Sequence, residues 1–397
     1  MRIAFIDLGN IDYHPLSTNE RPLGEMQSAL CYLAVNLALR GHEVYLLNNT
    51  STPGNYGGVN CYSILQYDKN ELLRLEIAVS ISCCGLALRK LGLKCQLIFW
   101  SGHDSDQTVV QALDDPNERN IWNKVVLVSD WQKNRYLSRF KLNTATVSVL
   151  KNAISPAFEK PLTERQYFFQ KIRPPVLVYL STPFRGLDIL IRAFPKIRSS
   201  IPGCTARIFS SLSVYTNPGD KDPYEYLYIE CKKIKGVDYL GSVDQISLSE
   251  CLLDADILAF PSTFMETSCI SLMEAMASGL LIVANDFGAL KETANDFGHF
   301  CKLELQKSPD EIASAYADFV ISVILDSMNN PTNYHKKIES QITYTRENYN
   351  WSGRALEWES LLENTKLDLP RLRLPSRNEL CICGASKKFK YCCGVLN

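Results

Sequence analysis

The sequence has almost no net charge: 42 Lys and Arg stand against 43 Asp and Glu, leaving −1. Without an excess of basic residues there is no reason to expect a nucleic-acid partner, and any basic patch must be local. Long hydrophobic runs are also missing, and none approaches the ~20 residues that cross a bilayer. The opening segment, Met1 to Asp7, reads as a first core strand and has no small-residue cleavage site, so no signal peptide is expected. Cysteine, by contrast, is plentiful, with 14 residues. Ten are scattered between Cys31 and Cys301, mostly in apolar segments where a free thiol packs as a small hydrophobe. With no secretion signal, the expectation is a reduced, cytoplasmic protein.

A chain of 397 residues is long enough for two ordinary domains, and 46% hydrophobic with 21% charged residues fits a globular class. The most informative stretch is Pro261 to Asn285. Asp256 to Phe260 reads as a buried strand that stops at Pro261, and a polar loop runs from Ser262 to Thr267. From Ser268, Ile270, Met273 and Ala277 recur at helical spacing, Gly279 sits where a helix ends, and Leu280 to Ala284 is another apolar run. Strand, loop, helix and strand make one parallel β-α-β unit. Glu266 lies ahead of the helix and Glu274 inside it. The backbone N–H groups of Thr267, Ser268, Cys269 and Ile270 would face the crevice, and a helix N-terminus suits a phosphate. Carboxylates on either side suit hydroxyl groups, which a nucleotide sugar offers on both sides of its diphosphate.

The segment PS-x3-ETS followed by MEAMA-x-G resembles the E-x7-E region of the family 4 retaining glycosyltransferases. The resemblance covers nearly everything from Ile3 to about Glu363 and is strongest from Leu240 to Glu292. It implies an α/β protein of the GT-B fold, in which two Rossmann-like parallel-sheet domains face each other across a cleft. The implied division is an N-terminal acceptor-side domain over 1–160, a nucleotide-sugar donor domain over 161–345, and a helix over 346–366 crossing back to the first domain. A linker over 367–375 and a small zinc motif over 376–397 complete the chain.

The family's residue roles carry over position by position. Glu266 is expected to hold donor-sugar hydroxyls and Glu274 the ribose. His103, in Trp100-Ser-Gly-His103-Asp104, is expected to face the cleft beside the reacting sugar, with Asp104 following it. Gly24 stands in the loop that approaches the donor phosphates, although Leu23 replaces the first of the family's glycine pair and Glu25 follows directly. Arg185 and Gly186, at a strand-to-helix turn, are expected at the diphosphate, where a planar fork of donors fits two oxygens. The earlier basic residue of the family falls on Leu180. Other expected strands are Ile3 to Leu8, Val44 to Leu47, Tyr62 to Leu65, Ile77 to Ser82, Cys95 to Trp100, Val125 to Ser129, Val176 to Leu180, Ala206 to Ser210 and Val237 to Leu240. Asp220 to Tyr228 is expected to be a surface helix or loop.

The C-terminal cysteines need their own account. Cys381, Cys383, Cys392 and Cys393 offer four thiolates in a segment too short to fold alone, so a structural zinc knot is expected, with a disulfide as the alternative. The pattern, with its Ser-Lys-Lys-Phe-Lys run, resembles the SEC-C motif, which implies a docking module for a protein partner. No metal is expected at the transferase site. Leu86 to Leu93 and the basic, aromatic stretch Trp131 to Lys141 leave peripheral contact with the inner membrane face open. The function implied is transfer of a sugar from a nucleotide-diphosphate-sugar donor to a glycan, lipid-linked or protein acceptor. A sugar-nucleotide epimerase or phosphorylase of the same fold, and a non-catalytic scaffold acting through the tail, are the alternatives.

Overall fold

The computed structural model describes residues 1–160, 165–171, 173–212 and 221–367, with the isolated positions Asn378, Lys387, Lys388 and Tyr391. The four tail cysteines lie outside the described residues, as does the expected linker beyond Leu367, which still belongs to the last helix.

Two sheets organise the chain. The first holds β1 (Arg2–Ile6), β2 (Glu43–Asn48), β3 (Gly54–Tyr56), β4 (Val59–Ser63), β5 (Ile77–Ser80), β6 (Gln96–Ser101), β7 (Lys124–Leu127) and β8 (Val147–Val149). Its order is β3-β4-β2-β1-β5-β6-β7-β8, parallel except for the β3–β4 pair. The second holds β9 (Val176–Tyr179), β10 (Thr205–Ile208), β11 (Val237–Tyr239), β12 (Ile257–Phe260), β13 (Leu281–Asn285) and β14 (His299–Cys301). Its order is β11-β10-β9-β12-β13-β14, parallel throughout. Central strands such as β5 and β12 are buried along their whole length, which is why they read as continuous apolar runs. The strand expected at Tyr62 to Leu65 is corrected to Val59–Ser63. Its outward Tyr62 and the glycine-led β3 hairpin hide the pattern.

In both sheets the chain reverses direction beside the first strand: β1 lies between β2 and β5, and β9 between β10 and β12. The carboxyl ends of strands at such a switch point leave a crevice where ligands bind. The loops after β1, β5 and β6 therefore face those after β9 and β12.

The helices that matter to this crevice are α1 (Glu25–Leu39), α2 (Asp130–Phe140), α3 (Leu187–Ser200), α4 (Ile270–Ala277), α5 (Pro309–Asn329), α6 (Pro331–Asn348) and α7 (Trp351–Leu367). Their ends follow sequence rules. Ser129 caps α2 through Gln132 N, and Ser308 with Glu311 forms a reciprocal capping box on α5. Helix α4 has no side-chain cap of its own. The polar stretch expected around Asp220 to Tyr228 holds a helix at Glu225–Lys233, anchored by buried Leu227, Tyr228 and Cys231.

Helix α7 returns to the first sheet. Trp351, Ala355, Trp358 and Leu362 are buried with Ile3, Phe5 and Trp100 in that sheet's core. The Trp100 and Trp358 rings meet edge-on at 5.0 Å, and Glu359 pairs with His42 at 2.8 Å. Burying such large rings stabilises each contact by a few kcal/mol, so the crossing is an integral part of the first domain. Among the described residues, no helix is long and apolar enough to cross a membrane.

Candidate active site between the two sheets

Two turns meet at the switch point of the second sheet. After β9, Pro183–Arg185 forms a short 3-10 turn that Gly186 ends in the left-handed region, at φ 107°. A β-carbon on Gly186 would lie 2.0 Å from the Pro261 carbonyl oxygen, so only glycine lets this turn press against the end of β12. Gly288 has φ 66°, and a β-carbon there would lie 2.4 Å from the Glu266 carbonyl oxygen. The loop after β13 thus braces Glu266 from behind, with the Ala289 N–H donating to the Glu266 carbonyl at 2.6 Å.

These braces bring together Arg185 and Glu266, which are 81 residues apart in the chain. Arg185 Nη1 donates to both Glu266 carboxylate oxygens, at 3.0 and 2.8 Å. Glu266 is only 2% exposed. Burial raises its carboxyl pKa, and the Arg185 charge and hydrogen bond oppose that shift. The Arg185 guanidinium also lies over the Phe264 ring, 4.6 Å from its centre.

Helix α4 starts at the same place. Cys269 is its N-cap and keeps its thiol buried, where desolvation holds the proton on sulfur. Ser268 is buried, and its hydroxyl has no hydrogen-bond partner among the described residues. Thr267 turns its hydroxyl outward and donates to the Gly102 carbonyl, tying the second domain to the loop after β6. The carboxylate of Glu25, at the start of α1 in the first domain, lies near the Ile270 backbone N–H, whose dipole pulls against the rise in its pKa. That carboxylate accepts from Asn152 Nδ2 at 3.0 Å, and burial pushes its pKa up to about 7. A side-chain carboxylate therefore stands beside the helix N-terminus, where an anion is favoured.

Glu274 projects from α4 one turn further on. It accepts from the Ser155 backbone N–H at 3.2 Å, and burial pushes its pKa up to about 8. It lines a cavity of about 190 Å3 with Leu180, Arg185, Phe209, Ser210 and Gln245. Arg185 is the only cation among the described residues lining this cavity, and Leu180 lines it where the family's earlier basic residue falls.

A larger cavity of about 750 Å3 opens between the sheets, lined by Asp7, Ile81, His103, Phe184, Phe264 and Glu266 among others. Glu25 and Arg185 line both cavities, so they stand where the two meet. His103 Nδ1 lies 2.7 Å from Gln107 Oε1, which leaves Nε2 as the acceptor of the neutral ring. Burial lowers the His103 pKa and keeps the ring neutral.

The expected site residues thus separate into groups. His103, Arg185, Thr267, Ile270, Glu266 and Glu274 all line one or other cavity. Gly186 and Cys269 shape the turns behind them. Gly24 is the N-cap of α1 with φ −61°, an angle open to any residue, and its neighbours Leu23 and Glu25 line the cavity instead. Asp104 is corrected: it does not accompany His103 to the cleft. It makes a two-pronged ion pair with Arg135, at 3.0 and 2.8 Å, and is 1% exposed. An arginine on the adjacent helix holds a buried carboxylate more strongly than an open cleft does. Sequence reasoning missed the placements of Glu25, Asn152 and Asp7. For Glu25, the departure from the glycine pair was the available signal.

Two parallel α/β sheets facing across a cleft, with the site at both switch points, define the GT-B class of fold. Residues 165–338 match the family described as glycosyl transferases group 1, and residues 377–394 match the SEC-C motif, so the chain carries both modules. A phosphatidyl-myo-inositol mannosyltransferase of Mycobacterium tuberculosis H37Rv is 30% identical over 145 residues, 36% of this chain and 35% of that protein. Its counterpart from Mycolicibacterium smegmatis is 29% identical over 115 residues, 29% of this chain and 27% of that protein. The matched stretch thus spans about a third of the length of the first of these curated relatives. Among solved structures, Anabaena Alr3699/HepE in complex with UDP-glucose superposes with TM-score 0.66 at 14% identity, covering 92% of this chain and all of that one. A glycosyltransferase from Rickettsia africae superposes with TM-score 0.66 at 13% identity, covering 93% of this chain and 99% of that one. At these identities the superpositions speak to the fold.

Proposed function

We propose that the protein is a retaining glycosyltransferase that uses a nucleoside-diphosphate-sugar donor. The observation that carries this reading is the placement of two buried carboxyls, Glu266 and Glu274, on either side of the α4 N-terminus, with Arg185 across from the first. The cavity at Glu274 takes the nucleoside, with the ribose hydroxyls on Glu274. The diphosphate sits at the start of α4 and on Arg185, and the sugar extends past Glu266 toward His103. UDP-glucose in the HepE structure and the mannosyltransferase relatives support a nucleotide-sugar donor of this kind.

In the transfer, the bond from the anomeric carbon to the diphosphate breaks as the bond to the acceptor oxygen forms. The acceptor's hydroxyl proton leaves with the diphosphate. Charge grows on the leaving group, so preorganised N–H dipoles and Arg185 stabilise the transition state more than the ground state. Glu25 stands beside the α4 N-terminus, so donor binding moves its carboxylate aside or takes it protonated. On this reading, 1–160 forms the acceptor side, 161–345 the donor side, and Cys381, Cys383, Cys392 and Cys393 hold a structural zinc in a partner-docking tail. The protein works in the cytoplasm, and the lipid-directed relatives favour peripheral contact with a membrane face.

The test is purified protein with a panel of UDP- and GDP-sugars, with donor binding followed by calorimetry and product stereochemistry by NMR. Donor cleavage with retained anomeric configuration, and only when an acceptor is present, is expected. Conversion of the donor alone to an epimer would favour an epimerase of the same fold. No binding of any nucleotide sugar would leave a scaffold acting through its tail.

A further inference from the structure

The larger cavity carries information about the acceptor. Its first-domain wall mixes apolar Leu8, Ile11, Ile81 and Val110 with neutral hydrogen-bonding groups on Gln27, Ser82, His103 and Gln107. Its opposite wall presents Phe184 and Phe264. The ionisable groups among the described lining residues, apart from His103 and the cysteines, are the acids Asp7, Glu25 and Glu266 and the base Arg185. Arg185 is already committed to both oxygens of Glu266.

Asp7, at the end of β1, is built into the wall. Its carboxylate accepts from the Gly9 N–H at 2.8 Å, Tyr13 hydroxyl at 3.0 Å, Gln27 amide at 3.1 Å and Ser82 hydroxyl at 3.4 Å. Four donors use up the acceptor positions of a carboxylate. Asp7 therefore fixes Gln27 and Ser82 in place and adds a negative charge beneath them. No lysine or arginine from the first domain lines this wall among the described residues. An incoming phosphate would meet the Asp7 carboxylate, the ionisable Glu25 and a Glu266–Arg185 pair already closed on itself, with no further cation among the described lining residues, an arrangement that disfavours a like-charged ligand.

We propose that the acceptor is an uncharged glycoside, whose hydroxyls are read by Gln27, Ser82 and Gln107 and whose C–H faces pack on Phe184, Phe264 and the aliphatic wall, and that phosphorylated acceptors are excluded. This rests on the glycosyltransferase reading above. It separates the chain from relatives named for a phosphatidyl-inositol acceptor, since the exclusion follows from this chain's own lining residues. A cavity lined by apolar surface and a few fixed neutral polar groups selects by shape and hydroxyl geometry.

The experiment offers the full-length protein, loaded with a donor that calorimetry shows to bind, three acceptors: a neutral alkyl glucoside, glucose phosphate, and vesicles containing phosphatidylinositol. Transfer to the neutral glycoside at least about tenfold faster than to either phosphorylated acceptor is the expected result. Saturation-transfer NMR should show the neutral glycoside bound and glucose phosphate unbound. Equal or faster transfer to a phosphorylated acceptor, or no binding or transfer of the neutral glycoside, overturns the inference. Failure of every nucleotide sugar to bind would instead overturn the underlying glycosyltransferase reading, and calorimetry tells the two apart.

Discussion

Arg185 Nη1 sits 3.0 and 2.8 Å from the two carboxylate oxygens of Glu266, in a pair whose acidic side chain is 2% exposed. Removing one member leaves an uncompensated buried charge, which typically costs about 3–5 kcal/mol. Arg185→Gln is therefore expected to destabilise the fold, whereas the double variant Arg185→Gln with Glu266→Gln should regain much of the loss. Denaturant unfolding of the single and double variants measures this. In kinetics, Glu266→Gln should lower turnover on the order of a hundredfold with a smaller change in KM, and Glu274→Ala should mainly weaken donor binding. Turnover and KM that both stay at wild-type values would remove these roles.

Glu274 links the site to pH. Its folded-state carboxyl keeps a proton up to about 8, against an ordinary value of 4.5. Between those limits the folded protein binds more protons than the unfolded chain, so its stability falls as pH rises through the window. One such group changes stability by roughly 1.4 kcal/mol per pH unit at most. Glu25, held up to about 7, acts in the same direction. The free protein should melt at a higher temperature near pH ~5 than near pH ~8, and Glu274→Gln should flatten that slope. A melting temperature that rises over this range, or a slope unchanged in Glu274→Gln, would contradict the assignment.

The sequence carried some of these relationships openly and hid others. Strands buried on both faces announce themselves as unbroken apolar runs, and β12, β13 and β5 lie close to where the runs place them. Glu266 and Glu274 were legible because loop and helix lie within one continuous segment. Glu25 was not: Ile270 is far along the chain, and only folding brings a first-domain carboxylate beside the α4 N-terminus. Asp104 misled for a related reason, because its destination depends on Arg135 on α2. Local pattern reveals which backbone groups need partners, while tertiary contact decides which side chain supplies them.

Glu292 shows the same logic between domains. From the second domain its two oxygens accept the Asp130 and Trp131 backbone N–H groups, both at 3.0 Å, at the N-terminus of α2 in the first. Lys151 stands 3.9 Å away. A carboxylate capping a helix start is worth about 1 kcal/mol, enough to bias an opening equilibrium about fivefold. Glu292→Ala should enlarge the radius of gyration of the free protein in solution scattering and raise donor KM roughly threefold to tenfold. Glu292→Gln retains an oxygen acceptor and should lie between. Scattering and kinetics both matching wild type would mean that the contact does not hold the cleft closed.

The tail obeys a different balance from the two sheets. Ordering its backbone costs roughly 1–2 kcal/mol per residue, and a segment of this length buries too little apolar surface to offset that alone. A zinc ion bound by thiolates supplies on the order of 10–16 kcal/mol in small motifs, which is sufficient. The SEC-C match at 377–394 encloses Cys381, Cys383, Cys392 and Cys393. Native mass spectrometry of the reduced protein should find a single zinc, lost when Cys381 and Cys392 are both changed to Ser. The two-sheet body draws its stability from its own buried cores, so that variant should melt with the wild type. A metal-free wild type whose tail thiols resist alkylation until a reductant is added would instead establish a disulfide, because zinc thiolates yield to a chelator and disulfides do not.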